Sequence, residues 1–462
     1  MPPALASLLT LAFVSFLFWR DNRQQDNVTA ALWIPFVWLF LIGSRYVSQW
    51  LAMFGFSVGG VSVEEGSPLD AIVFLGLIAI GLLVLVKRRA RFSEFARNNG
   101  WLTCFLVYCL IAIAWSDFPL VAFKRWIKVI GHPIMVLVVF SEPDPEIALA
   151  KLMKRCGYLL FPISILFIKY YPQWGRGFDD WTGLAHNTGI TKDKNALGYI
   201  CLICGLYFFW NLLNTWKAEK SKTRTYELLL SSGLLGMIWW LLWIANAKTG
   251  LMCLLVGMLL IVFLGLQFVN KKLVGRYLVV GAAAFLAADL IFGISGQLIA
   301  LLGRDSTLTD RTEVWHDVLE VPINPILGTG FESFWLGERR VRLSEKWLWQ
   351  PNQAHNGYLE TYLNLGLIGL TILIGLLIAT YRKACRELLD NFEFGRFRLG
   401  LLFAIVLYNW TDATFKALHP LWFAFYIIAI DYPTFRSPCP HEVDKDLANI
   451  GHPEEEIAFC TN

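Results

Sequence analysis

The chain has 462 residues, of which 56% are hydrophobic and only 16% are charged. About a quarter of the residues in soluble proteins are charged, so this composition excludes a disordered chain and argues against a soluble multidomain enzyme. The formal net charge is +4, but residues 431–462 carry seven acids and two bases, so the rest of the chain is more basic than the sum indicates. The apolar residues lie in blocks long enough to cross a bilayer, which takes roughly 17–25 residues and predicts a polytopic membrane protein.

Thirteen apolar stretches follow one another along the chain. They lie at 3–19, 28–45, 69–86, 101–115, 126–140, 157–171, 195–213, 228–246, 250–268, 277–301, 356–380, 400–412 and 417–430. Each is predicted to be a membrane helix, because a backbone in contact with lipid must satisfy its own hydrogen bonds. The first lacks the basic start and the cleavage site of a signal peptide, so we expect it to remain as a helix. The predicted fold class is therefore all-α, a polytopic membrane helix bundle of about 12–13 transmembrane helices, with twelve if one early stretch does not cross.

Four loops rich in lysine and arginine set the predicted orientation. They contain Lys87, Arg88, Arg89, Arg91 and Arg97; Lys217, Lys220, Lys222 and Arg224; Lys271, Lys272 and Arg276; and Arg382, Lys383, Arg386, Arg396 and Arg398. With thirteen crossings all four loops lie on one side, which the positive-inside rule identifies as the cytoplasm. Residues 1–430 are thus predicted to form the membrane domain, with a long loop at 303–354 outside. Residues 431–462 are predicted to form a disordered acidic tail in the cytoplasm.

The long external loop contains a predicted helix start at 309–313. Asp310 is a candidate N-cap, and Glu313 is its partner in a capping box. Arg311 would lie in the first turn, where the electropositive end of a helix favours a phosphate. An ordinary solvated helix start is the alternative. The apolar face of this helix would consist of Val314, Trp315, Val318 and Leu319.

Glycines, bases and aromatic residues follow in the same loop. The segment NPILGTGF at 324–331 predicts a sharp turn with a close approach of two backbones. Beyond it, bases are interleaved with tryptophans: Arg339, Arg340, Arg342 and Lys346 with Trp335, Trp347 and Trp349. Such rings can stack on sugars while the bases bind an anionic group. An interfacial aromatic belt is the alternative for the tryptophans.

His355 lies where this loop enters the next membrane helix, and a neutral imidazole there could act as a general base. A structural, hydrogen-bonding histidine is the alternative. In the preceding external loop, Arg176 and Lys194 are candidates for phosphate binding, although Lys194 could simply extend to the membrane interface. Asp179 and Asp180 would need further ligands to bind a metal, and the pattern offers none, so no metal is predicted.

At these positions the sequence resembles a known superfamily. The segment NQAHNGYLETYLNLGLIGL (352–370) is similar to the signature of O-antigen ligases and of O-antigen and exopolysaccharide polymerases. The segments GITKDKNALGY (189–199), TDRTEVWHDV (309–318) and NPILGTGF follow the same pattern in order. The similarity extends over roughly residues 192–369. An extra first helix and the acidic tail depart from the family pattern.

The resemblance implies a metal-independent glycosyltransferase without a cofactor in the bacterial cytoplasmic (inner) membrane. Its substrate would be an undecaprenyl-diphosphate-linked glycan at the periplasmic face, which places the loop 303–354 in the periplasm. His355 matches the motif histidine assigned to the acceptor hydroxyl, and Arg311 matches a loop arginine assigned to the diphosphate, so these two are the predicted catalytic residues. The predicted substrate-binding residues are Arg176, Lys194, Asn195, Arg340 and Asn356. Arg176, Lys194 and Arg340 are predicted from their charge and location and not from a match to the motif.

Several functional roles are compatible with this interpretation of the sequence. A polymerase is favoured over a ligase that transfers the glycan to lipid A-core. The alternatives are a flippase or transporter of lipid-linked sugars and a non-catalytic subunit that binds other polysaccharide-assembly proteins. Transporters usually show internal repeats and charges at mid-membrane, whereas this sequence shows no clear repeat and its bases cluster at helix ends. The expected ligands are the lipid-linked glycan and membrane lipid, and no nucleic acid is expected.

Overall fold

The structure is a computed structural model that describes residues 1–432 apart from 25–26, 57–65, 179–182, 184, 282, 284–310 and 348–350. The candidate metal ligands Asp179 and Asp180 and the candidate N-cap Asp310 lie outside the described residues. So do Trp349, most of the apolar stretch 277–301 and nearly all of the acidic tail.

Helices dominate the described part of the chain. The first half contains Pro3–Arg23 (α1), Trp33–Gly43 (α2), Val47–Met53 (α3), Pro68–Lys87 (α4), Phe92–Asn98 (α5), Gly100–Ile111 (α6), Pro119–Phe140 (α7), Pro145–Tyr170 (α8) and Pro172–Gly175 (α9). The second half contains Lys194–Lys217 (α10), Lys222–Ile244 (α11), Lys248–Leu264 (α12), Arg311–Glu320 (α13), Gly337–Lys346 (α14), Gly357–Asp390 (α15), Phe392–Thr411 (α16) and Pro420–Ala429 (α17). Single 3₁₀ turns lie at Ala30–Leu32, Ala112–Trp115 and Lys271–Leu273.

The predicted all-α bundle of a polytopic membrane protein is confirmed. By length and composition, five described helices can each cross a membrane, namely α1, α4, α10, α11 and α15. Two bent pairs raise this number to seven: Ala30–Gly43 with Val47–Met53 at 61°, and Phe92–Asn98 with Gly100–Trp115 at 103°. Every predicted apolar stretch except 277–301 coincides with a described helix, and the total of 12–13 spans stays a prediction.

The centre of the bundle is α17, whose ten residues are all buried. It contacts α2, α7, α10, α15 and α16. A helix that is apolar on every side is stable only inside other protein or lipid, so this short helix occupies the core and the longer helices surround it.

Two short strands, which the sequence did not predict, form an antiparallel pair in the loop before α10. Arg176–Phe178 (β1) pairs with Ala185–Asn187 (β2), with Gly177 opposite His186.

Contacts between helix ends gather the four basic loops at one side of the bundle. Lys217 Nζ lies 3.0 Å from Glu393 Oε1, and Lys271 Nζ lies 3.7 Å from the centre of a phenylalanine ring in the fourth loop. Lys383 Nζ donates to Asn99 Oδ1 at 2.7 Å, next to the first loop. We call the surface formed by residues 87–99, 217–224, 271–276 and 382–398 the basic face. It contains the C-terminal end of α15, whereas His355 immediately precedes the N-terminal end of that helix.

The described part of the long loop forms a small core of its own. Its buried side chains are Val314, Val318, Phe334, Trp335, Leu343, Trp347, Ala354 and Leu363. The predicted apolar face of α13 is therefore correct for Val314 and Val318. Leu319 is 57% exposed and lies outside this core. Trp335 and Trp347 pack inside this core instead of forming an exposed aromatic belt.

The NPILGTGF segment is hydrogen-bonded to a break in α15. Gly366 has φ 64° and ψ −165°, which interrupts the helix. The interruption frees backbone groups on both sides, and the segment satisfies them: Thr329 N donates to Leu363 O, Gly330 N to Asn364 O, and Leu367 N to Pro325 O. Buried backbone groups must be paired, so the break and the loop segment depend on each other.

Two glycines permit this approach. A Cβ atom at Gly328 would lie 2.5 Å from the backbone of Asn364, and one at Gly366 would lie 2.2 Å from the carbonyl oxygen of Ile326. Both glycines have positive φ, which is costly for residues with a side chain. The sequence prediction of a close backbone approach is confirmed, and its partner is the kinked helix.

Gly366→Ala should therefore destabilise the protein. Alanine would be held in a backbone region essentially reserved for glycine, at a cost of roughly 1–3 kcal/mol, and would also overlap the NPILGTGF backbone. The measurement is thermal unfolding of the detergent-purified variant. Gly76→Ala is the matched control, since a Cβ at Gly76 meets nothing within 4 Å. Equal unfolding temperatures for the two variants would contradict this account.

Candidate active site

His355 lies at the junction between the long loop and α15. The next residue, Asn356, is the N-cap of that helix, and its Oδ1 accepts hydrogen bonds from the backbone N–H groups of Tyr358 and Leu359. His355 itself has φ 49°, a left-handed conformation that is uncommon outside glycine, although histidine tolerates it better than most residues. Backbone strain of this kind clusters at functional sites.

A buried carboxylate accompanies the histidine. Asp412, which is 5% exposed, follows α16, and its Oδ1 lies 3.5 Å from His355 Nδ1. Gln353 Nε2 contacts the same carboxylate oxygen at 3.1 Å and His355 Nδ1 at 3.2 Å. Lys416 Nζ donates to Gln353 Oε1 at 2.5 Å. Gln353 therefore links a carboxylate, an imidazole and an ammonium group.

Burial and neighbouring charges shift the pKa values of Asp412 and Lys416 in opposite directions. Burial raises the pKa of Asp412, but its hydrogen bond and ion pair with His355 and the charge of Lys416 outweigh burial and leave the pKa below its usual range. Burial lowers the pKa of Lys416, although Asp412 favours its charged form. Asp412 is therefore ionised at neutral pH, beside an imidazole that it can stabilise when protonated.

A cavity of about 220 Å³ lies next to this network, and Gln353 and Lys416 belong to its wall. Its polar lining also contains Arg125, Glu332, Arg340, Asn352, Glu360, Thr361 and Asn364, and its apolar lining is Phe105, Phe331, Trp335, Leu365 and Phe415. Three cationic groups and two carboxylates thus face a volume large enough for a phosphate or part of a sugar. Rings beside polar groups are typical of saccharide sites.

The two carboxylates already have structural roles. Glu360 accepts hydrogen bonds from Trp335 Nε1 at 3.0 Å, the backbone N–H of Ala354 at 2.8 Å and Asn364 Nδ2 at 3.1 Å. Glu332 Oε1 accepts from the backbone N–H of Ala417 at 2.8 Å. Both therefore hold the cavity walls together, and the cations remain as the groups suited to an anionic ligand.

The three cations differ in how they are held. Arg125 Nη1 donates to the carbonyl oxygen of Glu332, and Lys416 is bound to Gln353. Arg340, partly buried on α14, makes no ion pair within 4 Å with any residue that the structure describes. Its neighbour Arg339 has a different role, because it pairs with Asp117 at 2.6 Å.

The structure brings the predicted site residues Arg311, His355 and Asn356 together in one region. A fourth predicted residue, Arg340, lies in the cavity wall. His355 and Asn356 are adjacent, and Arg311 begins α13. One turn further along, Trp315 Nε1 donates to the carbonyl oxygen of Ala354 at 2.7 Å, which places the start of α13 beside His355. Arg311 also lies within electrostatic range of the Tyr408 hydroxyl on α16.

The remaining predicted residues lie outside the cavity wall. Arg176 is exposed on β1, and its guanidinium donates to the carbonyl oxygen of Ile168 near the end of α8 at 3.1 and 3.3 Å. Lys194 and Asn195 form the first turn of α10. The ring of Tyr199, one turn further along, lies 4.5 Å from the ring of His419, so this helix start packs near the loop that carries Asp412 and Lys416.

Four residues of this site were not predicted from the sequence: Arg125, Gln353, Asp412 and Lys416. Arg125 lies in the N-terminal half of α7 beside Lys124 and Lys128, so the sequence does not distinguish it from ordinary charges near a helix end. Asp412 and Lys416 look in the sequence like ordinary charges at a helix end, and only their burial distinguishes them.

A group of three potential metal ligands lies on α13, where ligand atoms of His316, Asp317 and Glu320 all fall within 4.8 Å. Asp317 is already occupied, because it accepts from Trp347 Nε1 at 2.7 Å and pairs with Lys346. These hydrogen bonds lower the pKa of Asp317 despite the opposing effect of burial. The Asp317 carboxylate therefore stabilises the small core of the long loop by binding Trp347 and Lys346.

Comparison with known proteins finds a similar protein family and a similar bacterial protein. Residues 221–374 match the protein family described as O-antigen ligase. The chain is also similar to the exopolysaccharide production protein ExoQ of Rhizobium meliloti (strain 1021), with 25% identity over 324 residues that cover 67% of this chain and 70% of that protein. Both findings support the resemblance of this chain to the O-antigen ligase and polysaccharide polymerase superfamily.

The predicted superfamily is thereby confirmed. The part that matches the O-antigen ligase family contains Arg311, Arg340 and His355. Arg125, Asp412 and Lys416 lie outside it, on either side in the sequence. The candidate site is thus assembled from the matched region and from helices that flank it.

The ionised form of Asp412 should stabilise the folded protein. Because its pKa in the fold is below the ordinary 3.8, this stabilisation is present above about pH 4 and is lost as the pH falls further. Asp412→Asn should lower the unfolding temperature at pH 7, and the difference from wild type should narrow at pH 3.5. Thermal unfolding of purified protein at both pH values measures this. Asp390→Asn, at an exposed position, is the control, and an undiminished difference at pH 3.5 would show that the charge is not responsible.

Proposed function

We propose that the protein is a membrane glycosyltransferase that transfers a saccharide from an undecaprenyl-diphosphate carrier to an acceptor hydroxyl, without a metal ion. The observation that carries the proposal is the contact of His355 with a buried carboxylate next to a cavity with three cationic groups. The superfamily supports it, since an O-antigen ligase joins glycans at a membrane. A flippase or a non-catalytic subunit would not need a histidine paired with a buried carboxylate beside this cavity.

His355 is assigned as the general base. Its Nδ1 faces Asp412, which assigns the role of proton acceptor to Nε2. The acceptor oxygen forms a bond to the anomeric carbon, the bond from that carbon to the diphosphate oxygen breaks, and the acceptor proton passes to Nε2. Asp412 then lies beside an imidazolium, which its negative charge stabilises. A positioned base contributes roughly 10²–10⁴-fold to the rate.

The cationic groups are assigned to the leaving diphosphate. As the glycosidic bond breaks, negative charge grows on the phosphate oxygens, and fixed cations stabilise it in a site shielded from water. Arg340 and Lys416 in the cavity and Arg311 at the start of α13 are the groups suited to this. The carrier is already activated, so the chemistry requires neither a nucleotide nor a metal.

The protein similar to this chain is named for exopolysaccharide production, which favours a polymerase over a ligase. In a polymerase the acceptor is a second lipid-linked saccharide. We propose that the reaction takes place at the periplasmic face of the bacterial inner membrane, where the loop 303–354 would lie, and that the basic face is cytoplasmic. Arg176, Lys194, Asn195 and Asn356 remain proposed substrate-binding residues, with Asn356 acting through the position of His355.

His355→Asn should abolish transfer while it preserves the fold, because asparagine also tolerates the left-handed conformation. The assay incubates purified protein with a lipid-diphosphate oligosaccharide and analyses glycan length, with EDTA in a parallel reaction. His316→Asn, on the exposed surface of α13, is the control. Full activity of His355→Asn would exclude the assigned base, and loss in EDTA would exclude metal independence. Lipid-linked sugars that cross liposome membranes without elongation would identify a flippase.

Arg340→Gln should raise KM for the lipid-diphosphate substrate roughly 10- to 100-fold, the equivalent of a hydrogen bond to a charged group. Arg342→Gln is the matched control, since Arg342 is exposed on the same helix. The two variants have the same change in charge and helix propensity. Equal effects of both substitutions on KM would contradict a direct role for Arg340.

A further inference from the structure

A groove of about 530 Å³ runs along α15 at the half of the helix remote from His355. Its walls include Trp101, which lies directly against α15 at Gly375, together with Ile374 and Ile378. At its end on the basic face it reaches Arg382 and Arg386. The groove therefore joins an apolar channel to a pair of cations.

A second groove, of about 600 Å³, meets the first at the same two arginines. Its wall contains Lys271, Lys272 and Tyr381 in addition to Arg382 and Arg386. The two arginines are thus shared by two cavities, whose walls also contain Lys271, Lys272 and Lys383.

Arg382 and Arg386 differ from the other cations at this end of the bundle. Lys383 lies 3.7 Å from Asp431, and Arg398 lies 3.1 Å from the same carboxylate. Arg382 and Arg386 are exposed and make no ion pair with a residue in the described ranges, although Asp390 lies only one turn beyond Arg386. Exposed cations beside apolar walls match a ligand that has both an anionic group and an apolar chain.

We propose that these grooves form a binding site for an anionic phospholipid, with an acyl chain along α15 and the phosphate at Arg382 and Arg386. From Thr371 to Arg386 the helix rises about 22 Å at 1.5 Å per residue, which exceeds the roughly 15 Å of hydrocarbon in one leaflet. Basic pockets between helices at a membrane face bind anionic head groups in this way.

The site is distinct from the proposed active site. His355 precedes the first residue of α15, whereas Arg382 and Arg386 lie in its last three turns, so the two sites occupy opposite ends of a helix of 34 residues. The proposal concerns a structural lipid at the basic face, and it stands whether or not the protein is a glycosyltransferase.

The test uses the full-length protein in detergent and measures lipid binding by native mass spectrometry. The probes are phosphatidylglycerol, phosphatidylcholine and water-soluble glycerol phosphate. We expect wild type to prefer phosphatidylglycerol, and the double variant Arg382→Gln/Arg386→Gln to lose roughly tenfold or more of that affinity. The control is Lys220→Gln/Lys222→Gln, two exposed cations in another basic loop, and it should bind within about twofold of wild type.

Ile374→Ser/Ile378→Ser tests the apolar part separately and should weaken phosphatidylglycerol binding with the arginines intact. Equal affinity of wild type for phosphatidylglycerol and phosphatidylcholine would overturn the proposal without reference to any variant. If the Lys220→Gln/Lys222→Gln control lost as much phosphatidylglycerol affinity as the arginine variant, the binding would be a general effect of surface charge and the proposed site would be wrong. Tight binding of glycerol phosphate would show that the site takes a soluble phosphate and no lipid.

Discussion

The break in α15 at Gly366 is the constraint on which the rest of the structure depends. A membrane helix cannot leave backbone groups unpaired, and the NPILGTGF segment supplies their partners. Tyr108 donates to the carbonyl oxygen of Leu365, and Trp115 donates to that of Leu327, so both sides of the contact are also bound to α6 and the turn after it. The long loop is thereby fixed to the bundle close to the cavity.

This attachment explains how a site can form from distant parts of the chain. Arg125 comes from α7, Arg340 from the loop, His355 from the start of α15, and Asp412 and Lys416 from the turn after α16. None of these groups is close to all the others in sequence. Burial of the carboxylate beside the imidazole and the ammonium group makes their charges interdependent, because the attraction between charges is stronger where water is excluded.

The sequence indicated the resemblance to the superfamily, the helix bundle and the position of His355, because all three depend on local pattern. Hydrophobic blocks mark helices, and a motif marks the entrance to α15. Local pattern did not predict the roles of side chains of the same type that have different neighbours in the fold. Arg339 and Arg340 are adjacent, yet one pairs with Asp117 and the other lines the cavity. Trp335 and Trp347, which an aromatic belt would expose, fill the small core of the loop because Glu360 and Asp317 accept their N–H groups.

The sequence by itself determined that this protein is a helical membrane protein and that it resembles a polysaccharide-assembly superfamily, since composition and motif order contain that information directly. Only the tertiary structure decided which charges matter. Asp412 and Lys416 have the same local sequence context as any helix end, and Arg382 and Arg386 resemble every other basic loop residue. Their environments differ because burial, ion pairing and access to a groove are set by segments far away in the chain, and no local pattern records those contacts.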